Sequence, residues 1–347
     1  MRTGVGIDER LGLSADQQRT LVQAAARLGF DSLWTPASAT GRSAFHTCVR
    51  WWHASTEVTP DGLDVGISVV PFPVWSAPTL AAEAATVAEI TRGKFSLGIG
   101  LGAYPAPDFL EHFGLPEVPP MRLTREYLEA LTRLFNAQEV TVNGTGVRMA
   151  GVQLGFKPPR LPVYLAAMGP QGLRLAGELG VGVTPNWSSP EQIAWMREQA
   201  AAGARRASRP SEHVPFAQYI RVCVDPDADA ARRAFGAQVL TYALARPGQP
   251  KDRGYRGHFG RMGFDEVLSD LEARREAGAR MTDLVELVPP ELMRKVGYFG
   301  PPQGAADAMR ELSSGLDEAM VRLITVRPGD LQACLQAIET CRPDLWR

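Results

Sequence analysis

The sequence predicts an α/β fold, a single (β/α)8 TIM barrel over residues 1–347, and three observations predict it. Short β-rich runs alternate with longer amphipathic helical runs from end to end. Eight such units can be counted, which favours a closed barrel over an open doubly wound sheet. No change of composition marks a linker in the 347 residues, a length that holds a barrel of roughly 250 residues plus insertions.

Thr3–Ile7 reads as the first strand. It leads to a helix with Ser14 as N-cap and Leu21, Ala24, Ala25 and Leu28 as its apolar face, stopped by Gly29. Asp31–Thr35 is the second strand, followed by a helix over Ala44–Thr56. Leu63–Val70 is almost continuously apolar, as a strand covered on both faces requires, and an Ala-rich helix over Thr79–Ile90 follows it. Lys94–Gly100 is the fourth strand. Leu161–Ala167 is the fifth, with a helix over Pro170–Leu179, and Val181–Thr184 is the sixth, with its helix starting near Pro190. Phe216–Val224 and Glu318–Val326 complete the set, and a last helix begins near Asp330. One insertion is expected after the fourth strand, holding the Pro-rich Ala103–Pro120 segment and a hairpin that turns at Asn143-Gly144. A second is expected between strands seven and eight, from about Ala243 to Pro302.

Lys plus Arg number 37 against 38 Asp plus Glu, a net charge of −1, so no electrostatic feature points to nucleic acid or an anionic membrane as partner. No run approaches the roughly 18 apolar residues of a membrane span, and Met1-Arg2-Thr3-Gly4 opens no signal-type apolar segment; the expected location is the cytoplasm. Four cysteines in a chain of this length make no disulfide framework, and Cys48, Cys223, Cys334 and Cys341 are expected to be reduced and packed. The expected partner is a small-molecule substrate, with a homodimer left open as the assembly.

Barrels carry their chemistry just past the C-terminal ends of the strands. Here those positions are Asp8, Thr35–Ser38, Ser68–Pro71, Gly100–Tyr104, Ala166–Gly169, Thr184–Trp187, Asp225 and Arg327. Gly98-Ile99-Gly100-Leu101-Gly102-Ala103 matches a G-x-G-x-x-A dinucleotide fingerprint, but Tyr104-Pro105-Ala106-Pro107 stands where the helix should begin. It reads better as a glycine-rich strand end that lets a flat ligand approach the main chain. Gly169-Pro170 puts proline at the first position of a helix whose free N–H groups suit a phosphate or other anion, although an ordinary strand-to-helix turn has the same form. Pro71-Phe72-Pro73-Val74-Trp75 is either loop packing or a rigid apolar wall for a flat ring. The five histidines make no ligand pair of useful spacing, so no metal site is expected, and neither a nucleophile elbow nor a P-loop is present. Arg205-Arg206 and Arg274-Arg275 read as solvated helix faces.

Several segments resemble the bacterial luciferase-like flavin and deazaflavin oxidoreductases: Leu28–Trp34, Val65–Val70, Gly93–Gly100, Leu165–Gly182 and Gly300–Gln303. Within them, Ala166-Ala167-Met168-Gly169-Pro170-Gln171, Leu175–Leu179 and Asn186-Trp187 are similar to the branch that uses coenzyme F420, the methylenetetrahydromethanopterin reductase-like proteins. The resemblance implies a barrel, oxidoreductase chemistry and F420 as cofactor, with FMN as the alternative. It also implies a non-prolyl cis peptide at Ser68–Val69, a bulge that supports the central ring of the coenzyme. Cofactor binding is carried over to Ser68, Val69, Ala166, Ala167, Met168, Gly169 and Pro170.

The chain departs from relatives that oxidise a sugar phosphate. Those carry an Asp-His pair after strand two and a Glu after strand four, where Ala37-Ser38 and Ala103 stand here. Gly180-Val181-Gly182 likewise replaces the usual Ala-Asp-Gly. With that base and acid gone, the expected reaction is hydride transfer that reduces an activated C=C or C=N bond. Ser38, His46 and Tyr104 are the candidate proton donors, from location alone. An FMN-dependent monooxygenase and a ligand-binding barrel without redox turnover are the competing expectations.

Overall fold

The computed structural model describes residues 1–38, 40–210, 214–246 and 249–347. Strand β1 (Arg2–Gly6) is followed by α1 (Ala15–Arg27), β2 (Ser32–Thr35) by α2 (Ala44–Thr56), and β3 (Asp64–Pro71) by α3 (Ala77–Ile90). After β4 (Phe95–Gly100) come α4 (Pro107–Phe113), α5 (Pro120–Phe135) and the hairpin of β5 (Val140–Asn143) and β6 (Arg148–Val152). Then β7 (Val163–Leu165) leads to α6 (Pro170–Leu179), β8 (Gly182–Val183) to α7 (Pro190–Arg206), and β9 (Ala217–Val224) to α8 (Ala228–Ala243). The following segment holds α9 (Gly254–Phe259), α10 (Asp265–Glu276), α11 (Met281–Glu286) and α12 (Pro290–Arg294). The chain ends with β10 (Gly297–Gly300), α13 (Ala305–Leu312), β11 (Glu318–Leu323) and α14 (Leu331–Thr340).

Local signals account for most of these boundaries. Ser14 and Gln17 form a reciprocal capping box that starts α1, while Ser43, Ser76, Ser189 and Asp330 cap α2, α3, α7 and α14 with their side-chain oxygens. The hairpin turns where the Asn143-Gly144 pair stands, with the Gly144 N–H donating to the Val147 carbonyl at 2.9 Å. All four cysteines are buried and free.

Among the described residues, nine strands form one parallel sheet in the order β10-β9-β11-β1-β2-β3-β4-β7-β8. The sheet curls until the β8 side reaches β9, where parallel bridges join Val183 to Phe216 and Asn186 to Tyr219. This is one strand more than the eight expected. Gly297–Gly300 pairs with Arg221–Val224 of β9, inside a stretch expected to be inserted loop and helix. Four residues with a glycine at each end carry no measurable period, so only the pairing reveals the strand.

Inside the curl, large rings sit against glycines. The register pairs Trp34 with both Gly6 and Gly66; a Cβ on Gly66 would run into the Trp34 indole, and one on Gly6 would lie 2.6 Å from the Tyr219 ring. Trp34 is buried, and its Nε1 donates to the Glu318 carboxylate at 2.7 Å. The interior is therefore close-packed between these strands, and folds of this kind take their ligands at the C-terminal mouth. A separate apolar cluster, built around Trp187, Phe235, Val239, Phe259, Phe264 and Leu268, covers β9. The long segment after β9 thus folds on a core of its own.

Candidate active site

One arc of the mouth is made of main chain and small uncharged side chains. The Ser68–Val69 peptide is cis, and the β3–β4 register shifts between Ile67 and Val70, so β3 bulges there. The hydroxyls of Ser68 and Thr184 hydrogen-bond at 2.9 Å, linking the bulge to the end of β8. Val69 fills the space above the neighbouring glycines. A Cβ on Gly100 would stand 2.8 Å from Val69 Cγ2, and one on Gly98 would stand 2.5 Å from the Ile67 carbonyl. These glycines make room for β3 itself, which corrects the expectation that they form a shelf for a ligand.

Past β7, Ala166 is exposed, Ala167 is buried, and Met168 and Gly169 are half-buried. Gly169 caps α6 without a side chain and Pro170 occupies its first turn, so the N–H groups of Gln171 and Gly172 have no intrahelical acceptor. Such an end favours an anion. Pro71–Trp75 resolves as packing: Phe72 is fully buried with its ring centre 4.6 Å from that of Tyr127, and Trp75 meets Phe45 edge-on.

The opposite arc carries charge. Arg322 on β11 pairs with Asp8 just past β1, their side chains only 6% and 7% exposed. Burial pulls the Arg322 pKa down, but the Asp8 carboxylate together with Tyr219 and Tyr242 outweighs it, and the net shift is upward. Arg221 on β9 is the register partner of Arg322 and is 2% exposed. Its Nη1 donates to Asn186 Oδ1 at 2.7 Å, its guanidinium lies 3.7 Å from the Trp187 ring centre, and its Nε has no partner among the described residues. Burial, and then the charge of Arg322, push its pKa down to about 10, which leaves it cationic at neutral pH. Trp187 has φ 56°, a left-handed conformation that costs a bulky residue about 1–3 kcal/mol. The preceding Asn186 donates from Nδ2 to the Tyr255 hydroxyl at 2.7 Å.

Tyr242 of α8 lies against the same group, its ring centre 5.5 Å from Arg221. Burial raises its pKa, yet the positive charges of Arg221, Arg322 and Arg10 prevail and hold it below the ordinary phenol value. A cavity of about 280 Å³ opens here, with Asp8, Thr35, Ser38, Arg42, Tyr242 and Arg322 among its walls.

Of the three candidate proton donors, only Ser38 lines this cavity; its Oγ accepts from the Gly41 N–H at 2.8 Å. His46 is exposed on α2 outside the cavity, with Nδ1 2.8 Å from the Ser43 hydroxyl. Tyr104 is 6% exposed, and its hydroxyl lies 3.0 and 2.9 Å from the Pro116 and Val118 carbonyls while accepting from the Val118 N–H at 2.6 Å. That hydroxyl is enclosed by backbone and acts as a strut in the segment after β4, a correction to its expected place in the mouth. Arg327 lies beyond the end of β11, exposed and paired with Asp330; the arginine that β11 presents to the mouth is Arg322.

Arg221 and Arg322 were not singled out from the sequence, although a signal existed. Arg221 is the lone charge in the apolar run Phe216–Val224, and Glu318, Met320 and Arg322 alternate along one strand face.

A curled parallel sheet with helices on its outside and polar groups gathered at the strand C-termini defines an α/β protein of the barrel-like class. The chain belongs to the luciferase-like monooxygenase family, whose model matches residues 2–318. It is similar to the 5,10-methylenetetrahydromethanopterin reductase of Methanolobus tindarius, 29% identical over 216 residues; the match spans 62% of this chain and 63% of that protein, a little under two thirds of it. A Mycobacterium tuberculosis protein assigned as a coenzyme F420-dependent oxidoreductase is 26% identical, with 96% of this chain and 97% of that one covered. Among solved structures, the coenzyme F420-dependent tetrahydromethanopterin reductase from Methanopyrus kandleri matches with a TM-score of 0.76 at 19% identity, covering 100% of both chains, a likeness of fold.

Proposed function

We propose that this protein is a coenzyme F420-dependent oxidoreductase that transfers a hydride to or from a small organic substrate. The observation that carries this reading is the Ser68–Val69 bulge, bonded to Thr184 and set in the same uncharged arc as the N-terminus of α6, which lacks a side-chain cap. Membership of the luciferase-like family and the named activities of the relatives support it. A planar heterocycle with an anionic tail fits this arc: small residues and main chain can back the ring, and the helix end can receive negative charge.

In this assignment Ser68 and Val69 back the ring, and Ala166, Ala167, Met168, Gly169 and Pro170 form the tail side. When bound, the coenzyme supplies hydride chemistry at a ring carbon and reacts poorly with oxygen. The chain contributes position and the exclusion of water. Ser38, the candidate donor that lines the cavity, is assigned the proton. The Val183–Phe216 and Asn186–Tyr219 bridges support the view of the sheet as a closed (β/α)8 barrel. Residues 1–347 then form one domain, with the segments after β4 and β9 as its insertions. The expected location is the cytoplasm, with a homodimer left open as the assembly.

Titration of the purified protein with F420 and with FMN, followed by coenzyme fluorescence, tests the reading. Saturable binding of F420 at least tenfold tighter than FMN is expected. Preference for FMN, with oxygen consumed during turnover, would transfer the protein to the monooxygenases.

A further inference from the structure

Resting on that hydride-transfer reading, we propose that Arg221 recognises the substrate, and that the substrate carries a carboxylate which completes its buried guanidinium on the β9–β11 side of the mouth. The starting point is an imbalance of charge. Arg221 and Arg322 face each other in register inside the curl, and Asp8 is committed to Arg322. Among the described residues Arg221 makes no ion pair; an amide oxygen of Asn186 and the face of Trp187 are its partners. A buried charge is costly unless it is paired, and one positive charge here lacks its counter-charge.

The hydrogen-bond inventory points the same way. Among the described residues, three buried side-chain donors on or beside β9 lack an acceptor: Arg221 Nε, the Tyr219 hydroxyl and Trp187 Nε1. An arginine and an indole can only donate, so a group that supplies acceptors and no donors suits them. A carboxylate is such a group: it is planar, matches the guanidinium fork in two parallel bonds, and supplies the counter-charge that Arg221 lacks. A cation or an amine would meet four arginines, Arg10, Arg42, Arg221 and Arg322, against the carboxylates of Asp8 and Glu9, the first of them committed to Arg322. The position also separates substrate from coenzyme. The coenzyme's anionic tail has its own place at α6 on the uncharged arc, whereas Arg221 stands on the charged arc with Tyr242, which lines the cavity.

The test compares acids with their amides on the full-length protein. Crotonate and cinnamate are titrated against crotonamide and cinnamamide by calorimetry, with the wild type and with Arg221→Gln, Arg221→Lys and the exposed-site control Arg274→Gln. The acids are expected to bind at least tenfold more tightly than the amides. That preference should vanish in Arg221→Gln, survive in part in Arg221→Lys and persist in Arg274→Gln. Far-UV circular dichroism and F420 titration of the same variants report folding and the coenzyme site independently. Acids that bind no better than amides to the wild type, or a preference that survives in Arg221→Gln, would overturn the inference while F420 binding left the coenzyme assignment standing. Loss of F420 binding by the wild type alongside an intact acid preference would overturn the coenzyme assignment and leave the anion subsite.

Discussion

The hydroxyl of Ser68, on the bulge of β3, meets the hydroxyl of Thr184, just past β8, at 2.9 Å. With β4 and β7 between those two strands in the sheet, this bond sets the span of the uncharged arc on which the coenzyme ring is placed. Thr184 is 3% exposed, so water cannot easily replace a lost partner.

Thr184→Val keeps the shape and removes the hydrogen bond. The expected result is a loss of about 1 kcal/mol of stability and an F420 dissociation constant raised about five- to tenfold, read by fluorescence titration. Combined with Ser68→Ala, the double variant should bind F420 no more weakly than either single one, because both remove the same contact.

Tyr104→Phe and Ser38→Ala separate a strut from a proton donor. Removing the Tyr104 hydroxyl strands the Val118 N–H and takes away the one proton shared toward the Pro116 and Val118 carbonyls, at about 1–3 kcal/mol of stability, with turnover per folded molecule unchanged. Ser38→Ala should leave stability nearly intact and lower turnover about a hundredfold. A normal rate for Ser38→Ala would remove it from the mechanism.

Asp8→Asn tests the charge ledger of the mouth. It leaves Arg322 and Arg221 side by side with no counter-charge, and a loss of about 3–5 kcal/mol in denaturant unfolding is expected. High salt should recover little of this, since both arginines are buried.

His258 sets a pH dependence. Its Nε2 donates to the Trp187 carbonyl at 3.0 Å while Nδ1 has no partner among the described residues, and burial pushes its pKa from 6.5 down to about 4. The unfolded chain therefore binds a proton below pH 6.5 that the folded chain refuses. Its contribution is complete above pH 6.5 and is lost as the pH falls toward 4, a change of about 3 kcal/mol. Melting temperatures of the wild type and His258→Gln, measured from pH 7.5 to 4, should converge toward the acid end; parallel curves would contradict the assignment.

By itself the sequence determined the rhythm of the fold. Alternating apolar runs marked eight of the nine sheet strands, Ser14 marked the start of α1, and Asn143-Gly144 marked the hairpin, because these are local properties of a few consecutive residues. Resemblance supplied Ser68–Val69 as a cis bond, and the structure has it. Tertiary structure alone decided which polar groups face one another. Gly98 and Gly100 yield to Val69, Tyr104 turns into a backbone strut, and Arg221 and Arg322 come into register from strands about a hundred residues apart in the chain, with Asp8 serving only one of them. The reason is physical: a side chain's partners inside a curled sheet are set by strand order and register, which join distant segments, and no local pattern records which charge is left without its mate.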